Sequence, residues 1–122
     1  MKQNKHILLA EDNSGIQDTI KIYFERAGYD ISIHPDGNVI LKGNYKLPDL
    51  YILDKQLSGV DGIDICRHLK NREQTRDIPV IMISASIFVR TMALTAGADD
   101  FLEKPFKMSD LLQVVQRHLD TR

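Results

Sequence analysis

Three four-residue runs, Ile7–Ala10, Leu50–Leu53 and Val80–Ile83, are apolar at every position. A strand with one face in water alternates apolar and polar side chains, so runs without alternation belong to strands covered on both faces. A parallel sheet flanked by helices on both sides covers its strands in this way. Each run also stops on polar groups: Glu11 and Asp12 after the first, Asp54 after the second, Ser84 after the third. A polar residue closing a buried strand is displaced from the core toward whatever lies beyond the sheet edge. Taken alone, Asp54 reads more readily as a polar strand end, or a cap for the next helix, than as a reactive group.

Helical patterns fill the intervals. Asn13 or Ser14 is placed to cap a helix in which Ile16, Ile20, Tyr23, Phe24 and Ala27 recur at helical spacing, and Gly28 stops it. Tyr29–Ile33 alternates and has β-branched members, which predicts a strand nearer the sheet edge. Residues 38–46 carry a weak pattern broken by Gly43, so a short, distorted helix is expected before Pro48. Asp61 is placed to cap a helix running to about Asn71. A further helix, roughly Ile87–Ala96, closes at Gly97 and is followed by a short strand, Asp100–Glu103. Ser109 is expected to cap a last helix with Leu111, Leu112, Val115 and Leu119 facing inward. Five strand-then-helix units in succession predict an α/β fold, a doubly wound five-stranded parallel sheet.

At 122 residues the chain has room for one core, so a single domain over residues 1–122 is expected, with no output domain after the last helix. Its 43% apolar and 27% charged residues fit a soluble globular protein, and a net charge of −1 supplies no field toward nucleic acid or an anionic membrane. Cys66 is the single cysteine, which excludes an internal disulfide and a thiolate zinc site; beside Ile65 and three residues before Leu69, it reads as a small buried hydrophobe. Met1–Lys5 lacks a signal-peptide pattern, and Val80–Val89 is half the length of a spanning helix. A cytoplasmic location is expected. The histidines at 6, 34, 68 and 118 show no ligand spacing and are expected at solvent or edge positions.

Open parallel sheets bind ligands outside the carboxyl ends of their strands. There this chain places Glu11, Asp12, Asp54, Ser84 and, after the fifth strand, Lys104. If the strand order is 2-1-3-4-5, the first and third strands are neighbours and bring Asp12 and Asp54 close together. Carboxylates that near repel one another unless a cation intervenes, and an all-oxygen ligand set selects a hard ion such as Mg²⁺. An aspartate beside Mg²⁺, with a hydroxyl and an ammonium opposite, is equipped to accept a phosphoryl group as an aspartyl phosphate. The added charge of about −1.5 to −2 would then act on Ser84.

These residues resemble the receiver domain of two-component response regulators, with chemotaxis regulators as the simplest relatives. The resemblance spans essentially the whole chain. It rests on Glu11-Asp12, on Asp54 followed by Gly59-Val60-Asp61-Gly62, on Ser84-Ala85, on Ala96-Gly97-Ala98-Asp99-Asp100-Phe101, and on Lys104-Pro105-Phe106. It implies a flavodoxin-like three-layer αβα fold with order 2-1-3-4-5. It also implies that Asp54 is the phosphoacceptor and that Glu11, Asp12, Asp54 and the main-chain carbonyl of Gln56 hold Mg²⁺. By the same resemblance, Ser84, the Ala85 N–H and Lys104 bind the phosphoryl group, Ser84 and Phe101 switch, and Gln56 and Ser86 tune its lifetime. The Lys104-Pro105 bond is expected to be cis. The implied partners are a sensor histidine kinase or histidine phosphotransfer domain, and a downstream protein on the face of the fourth helix, fifth strand and fifth helix. Direct contact with nucleic acid or membrane is not expected, and the protein is expected as a monomer or weak dimer. The implied role is a signalling switch whose chemistry is confined to its own aspartyl phosphorylation and dephosphorylation.

Departures from the family pattern carry their own expectations. Ser58 stands where the family usually has proline and is expected to loosen the loop after Asp54. Lys55 is often apolar in relatives. The interval from Ser84 to Phe101 is about two residues short, which trims the fourth helix or the loop before it. Ile87 and Phe88 read either as a partner surface or as residues packed inward.

Three other readings weigh less. A nucleotide or flavin module lacks a glycine-rich loop at Glu11–Gly15 and would set two negative charges against a phosphate. A phosphohydrolase with an aspartate nucleophile would want a second acid where Gln56 stands. A pure interaction module would have no need of all five polar strand-end residues.

Overall fold

The computed structural model describes residues 4–119; residues 1–3, within the Met1–Lys5 stretch considered above, and residues 120–122, with the chain end at Arg122, lie outside the described residues. Five parallel strands, β1 (His6–Ala10), β2 (Asp30–His34), β3 (Leu50–Asp54), β4 (Val80–Ser84) and β5 (Asp100–Glu103), lie in the order β2-β1-β3-β4-β5. Helices α1 (Ser14–Arg26), α2 (Asn38–Lys42), α3 (Gly62–Lys70), α4 (Val89–Thr95) and α5 (Met108–Leu119) connect and follow them. The expected strand order is therefore the observed one.

Alternate residues of the central strands divide between two cores, which is why those strands are apolar throughout. Leu8, Ala10, Tyr51, Leu53, Val80 and Met82 face α2, α3 and α4. Ile7, Leu9, Leu50, Ile52, Ile81 and Ile83 face α1 and α5, meeting Ile20, Phe24, Leu111, Val115 and Leu119. All twelve strand residues are fully buried, and each full burial of such a side chain contributes about 1.5–3 kcal/mol. Tyr51 tolerates its position because its hydroxyl hydrogen-bonds that of Tyr45; burial pushes the Tyr51 hydroxyl far above its ordinary pKa. Cys66 is buried in the first core with its pKa pushed up to about 11 by burial, in keeping with a packing role.

The caps follow local chemistry at two helices. Asn13 accepts from the Ile16 N–H and Asp61 from the Ile63 N–H, at 2.9 and 2.8 Å. Ser109 does not cap α5: the helix begins at Met108, and the Lys107 carbonyl accepts the first helical bonds from Asp110 and Leu111. Met108 packs against the second core, which draws the helix start ahead of the serine. Helix α4 begins at Val89, two residues later than the expected Ile87, and its cap position, Phe88, makes no side-chain cap bond. Ile87 and Phe88 thus lie in the β4–α4 loop, where Phe88 is 87% exposed, and Val89 and Ala93 carry the helix's packing instead.

On the edge away from the strand ends, Lys70 Nζ donates to the carbonyls of Arg76 and Ile78 and to Asp99 Oδ2, which also accepts from the Val80 N–H. This knot fixes the entry of β4 against β5. Asp99→Ala removes its acceptor and is expected to cost about 1 kcal/mol, since the carboxylate is 37% exposed and water replaces part of the loss. Urea unfolding should show a lower midpoint with an unchanged slope.

Candidate functional site

Parallel packing in this order brings the carboxyl ends of β1, β3 and β4 together, and the loops leaving them wall a cleft of about 580 Å³. Glu11 leaves β1 fully buried, with its main-chain N–H donating to the His34 carbonyl. Asp54 ends β3, 5% exposed, in register with Ile83. Asp12, one residue beyond Glu11, is exposed at the mouth. Carboxylate oxygens of the three acids all lie within 4.8 Å of one another.

Lys104 answers this charge. Its Nζ donates to Asp54 Oδ2 at 2.8 Å and to Glu11 Oε1 at 3.0 Å, and the Lys104-Pro105 peptide is cis as expected. Burial pushes the Glu11 carboxyl above its ordinary pKa; the Lys104 bond and the Asn13 N–H pull it back, while the charge on Asp54 adds to the rise. Burial works against the Lys104 ammonium as well, but its bonds to Asp54 and Glu11 outweigh burial and hold its pKa above the ordinary lysine value. Both shifts run upward for different reasons: burial prevails at Glu11, which is fully buried, whereas the bonds prevail at Lys104, 20% of whose side chain stays exposed.

Of the other expected site residues, Gln56, Ser84, Ala85 and Ser86 line the same cleft. The Gln56 N–H donates to Asp54 Oδ1 at 3.2 Å, and the Ser86 N–H donates to Ser84 Oγ at 3.1 Å. Phe101 is not brought to the cleft: it is 5% exposed, paired with Met82 across the sheet and packed in the first core. Among the described residues no histidine or cysteine joins a metal-type cluster, and the four histidines are half-buried.

Two loop residues that depart from the family pattern make side-chain contacts. The Ser58 hydroxyl donates to Asp12 Oδ2 at 3.2 Å, and its backbone forms a bridge with Asp36 in the β2–α2 loop. Lys55 turns its ammonium to Asp61, 2.9 Å away, and ties the loop after Asp54 to the cap of α3. Gln17, whose side chain donates to the Glu11 carbonyl, is a further support that sequence patterns do not mark, since it occupies an ordinary helix position.

The fold agrees with what known proteins show. The chain belongs to the response regulator receiver domain family, whose sequence model matches residues 7–116. Such domains are the switch modules of two-component systems. The chain is 39% identical over 116 residues to the DNA-binding dual master transcriptional regulator RpaA of Synechocystis sp., covering 90% of this chain and 47% of that protein. It is 38% identical over 106 residues to the alkaline phosphatase synthesis transcriptional regulatory protein PhoP of Bacillus subtilis, covering 84% of this chain and 43% of that one. The chain thus spans about half the length of the curated relatives it matches. Among solved structures, the receiver domain of a sensor histidine kinase from Pseudomonas aeruginosa PAO1, with a magnesium ion coordinated in its active-site cleft, superposes with a TM-score of 0.87 at 30% identity over 97% of this chain and 99% of that one. The expectation of no direct nucleic-acid contact draws no support from these relatives, one of which is DNA-binding by description. No described helix is long and apolar enough to cross a membrane.

Proposed function

We propose that Asp54 is the phosphoacceptor of a Mg²⁺-dependent receiver switch, charged by a sensor histidine kinase or histidine phosphotransfer protein in the cytoplasm. The observation that carries this reading is the Lys104 ammonium bridging Asp54 and Glu11, with the Asp12 carboxylate completing a three-acid cluster at the cleft. Glu11, Asp12 and Asp54 are the side chains to hold the cation, joined by the Gln56 carbonyl; the donor set is all oxygen, as Mg²⁺ requires. When bound, the ion supplies charge neutralisation to the transferring oxygens.

The chain's own residues do the rest. One Asp54 oxygen attacks phosphorus, the P–O bond forms as the P–N bond to the donor imidazole breaks, and the electron pair leaves on the ring nitrogen, which takes a proton from solvent. Lys104 stays protonated and follows the negative charge from the carboxylate to the phosphoryl oxygens. Ser84 and the Ala85 N–H, on the opposite wall, receive the phosphoryl group. Gln56 and Ser86 flank it and govern water's approach, and hence its lifetime. Ser84 moves toward the new charge, and the rotamer of Phe101, whose ring is already buried in the first core, follows the hydroxyl as the α4–β5–α5 face changes its preference for a downstream protein.

Incubation with Mg²⁺ and acetyl phosphate should add one phosphoryl group by intact mass to the wild type and none to Asp54→Asn. The reading fails if neither protein is modified and neither responds to beryllofluoride, while a flavin or nucleotide raises the melting temperature.

A further inference from the structure

We propose that the Ser58 hydroxyl is a positioning group for the cation site, holding Asp12 in the acid cluster before any ion arrives; this rests on the switch reading above. The three acids are not held alike. Glu11 receives Lys104 Nζ and the Asn13 N–H, and Asp54 receives Lys104 Nζ and the Gln56 N–H. Asp12 is exposed, and among the described residues its side chain accepts a hydrogen bond from Ser58. Its negative charge nevertheless lies within 4.8 Å of the other two carboxylates. Repulsion favours turning that side chain out to water, and an exposed aspartate has rotamers that allow it. A group that keeps it inward removes this reorganisation from the binding step.

Ser58 is able to hold because it is itself held. Its backbone pairs with Asp36, and the following Gly59 takes φ +83°, a left-handed conformation that turns the chain back toward Asn38. The hydroxyl engages one carboxylate oxygen, Oδ2, and leaves Oδ1 for a cation. A donor also draws charge from the carboxylate and so weakens it as a ligand. Position outweighs this, because at an exposed carboxylate water donates in place of the lost hydroxyl while nothing replaces the lost direction.

Calorimetric titration with Mg²⁺ and the Mg²⁺ dependence of phosphorylation by acetyl phosphate test the proposal on wild type, Ser58→Ala and Ser58→Thr. Ser58→Ala is expected to raise the Mg²⁺ dissociation constant roughly 3–10-fold, at or below the low end of losses from outer supports of metal ligands. The Mg²⁺ concentration for half-maximal phosphorylation should rise by the same factor, the change falling on the ion requirement and not on the limiting rate. Ser58→Thr should restore both. Equal or tighter Mg²⁺ binding by Ser58→Ala, beside a wild type that binds Mg²⁺ and is phosphorylated, overturns the inference and leaves the switch reading standing. A loss shared equally by Ser58→Thr also overturns it, since the hydroxyl is retained there. A wild type that binds no Mg²⁺ overturns both.

Discussion

Lys104→Ala protein is expected to bind Mg²⁺ more tightly than the wild type and yet to be phosphorylated by acetyl phosphate roughly 10²–10³-fold more slowly. The two effects have one origin. The ammonium bridges two of the three carboxylates in the cation-free protein and offsets one negative charge, so it competes with an arriving cation, and its loss leaves the cluster one charge more negative. In the proposed phosphoryl transfer the same ammonium would stabilise charge that appears on the moving oxygens, and alanine offers nothing in its place. Parallel calorimetry and initial-rate measurements decide the matter. Weaker ion binding combined with slower phosphorylation would mean that Lys104 acts by holding the acids in position and not by its charge.

The same substitution carries a pH signature. The folded pKa of Lys104 lies above its unfolded value, so its contribution to stability is complete below the ordinary lysine pKa and is lost as pH rises past the raised one. Glu11 behaves oppositely to an ordinary ion-paired carboxylate. Its folded pKa is raised above 4.5, chiefly by burial, so the fold binds that proton better than the unfolded chain does and stability falls as pH climbs through the interval between the two values. Removing Lys104 removes the largest influence that lowers the Glu11 pKa, and the interval widens upward. The variant should lose about 2–3 kcal/mol at pH 7, short of the ~3–5 kcal/mol for breaking a wholly buried pair because 20% of the lysine is exposed. At about pH 5 the loss should be smaller. Urea unfolding at both pH values measures it, and an equal loss at both would assign the stabilisation to the lysine's packed stem.

Gly62→Ala should be the most destabilising single methyl group in the chain, at about 3 kcal/mol or a fall in melting temperature on the order of 10 °C. A Cβ at Gly62 would lie 2.1 Å from the Asp54 carbonyl oxygen, 2.9 Å from its carbon and 3.0 Å from the Lys55 Cα. All three are backbone, at the point where the Gly62 N–H bonds the Lys55 carbonyl, so relief requires β3 and α3 to separate beneath Asp54. Gly37 provides the comparison. A Cβ there would come equally close, 2.1 Å, but to Ile65 Cδ1, the end of a side chain that is able to change rotamer. Gly37→Ala should cost about 1 kcal/mol. Equal losses in thermal unfolding of the two variants would refute the distinction between backbone and side-chain neighbours.

Much of this arrangement was legible along the chain. The unbroken apolar runs at β1, β3 and β4 announced strands buried on both faces, and the alternating 29–33 stretch announced the edge strand β2. Helix caps at Asn13 and Asp61 follow from side chains that reach their own backbone within three residues, which is local chemistry. The cap expected of Ser109 did not form because the packing of Met108 outweighed that same local preference. At α4 the late start at Val89 left Phe88 in solvent, a choice made by what the sheet offers to cover and not by the run of apolar residues.

The sequence by itself determined the alternation of strands and helices, and it determined which residues end the strands, because burial on both faces and helical periodicity are written within a few neighbouring positions. Only the tertiary structure decided how those ends meet. Lys104 reaches Glu11 across 93 positions, and Ser58 reaches Asp12 across 46. Such contacts depend on strand register and loop path, and a shift of one residue in either would turn the side chain away. Ser58 therefore reads along the chain as a missing proline and in the fold as a hydroxyl holding an acid.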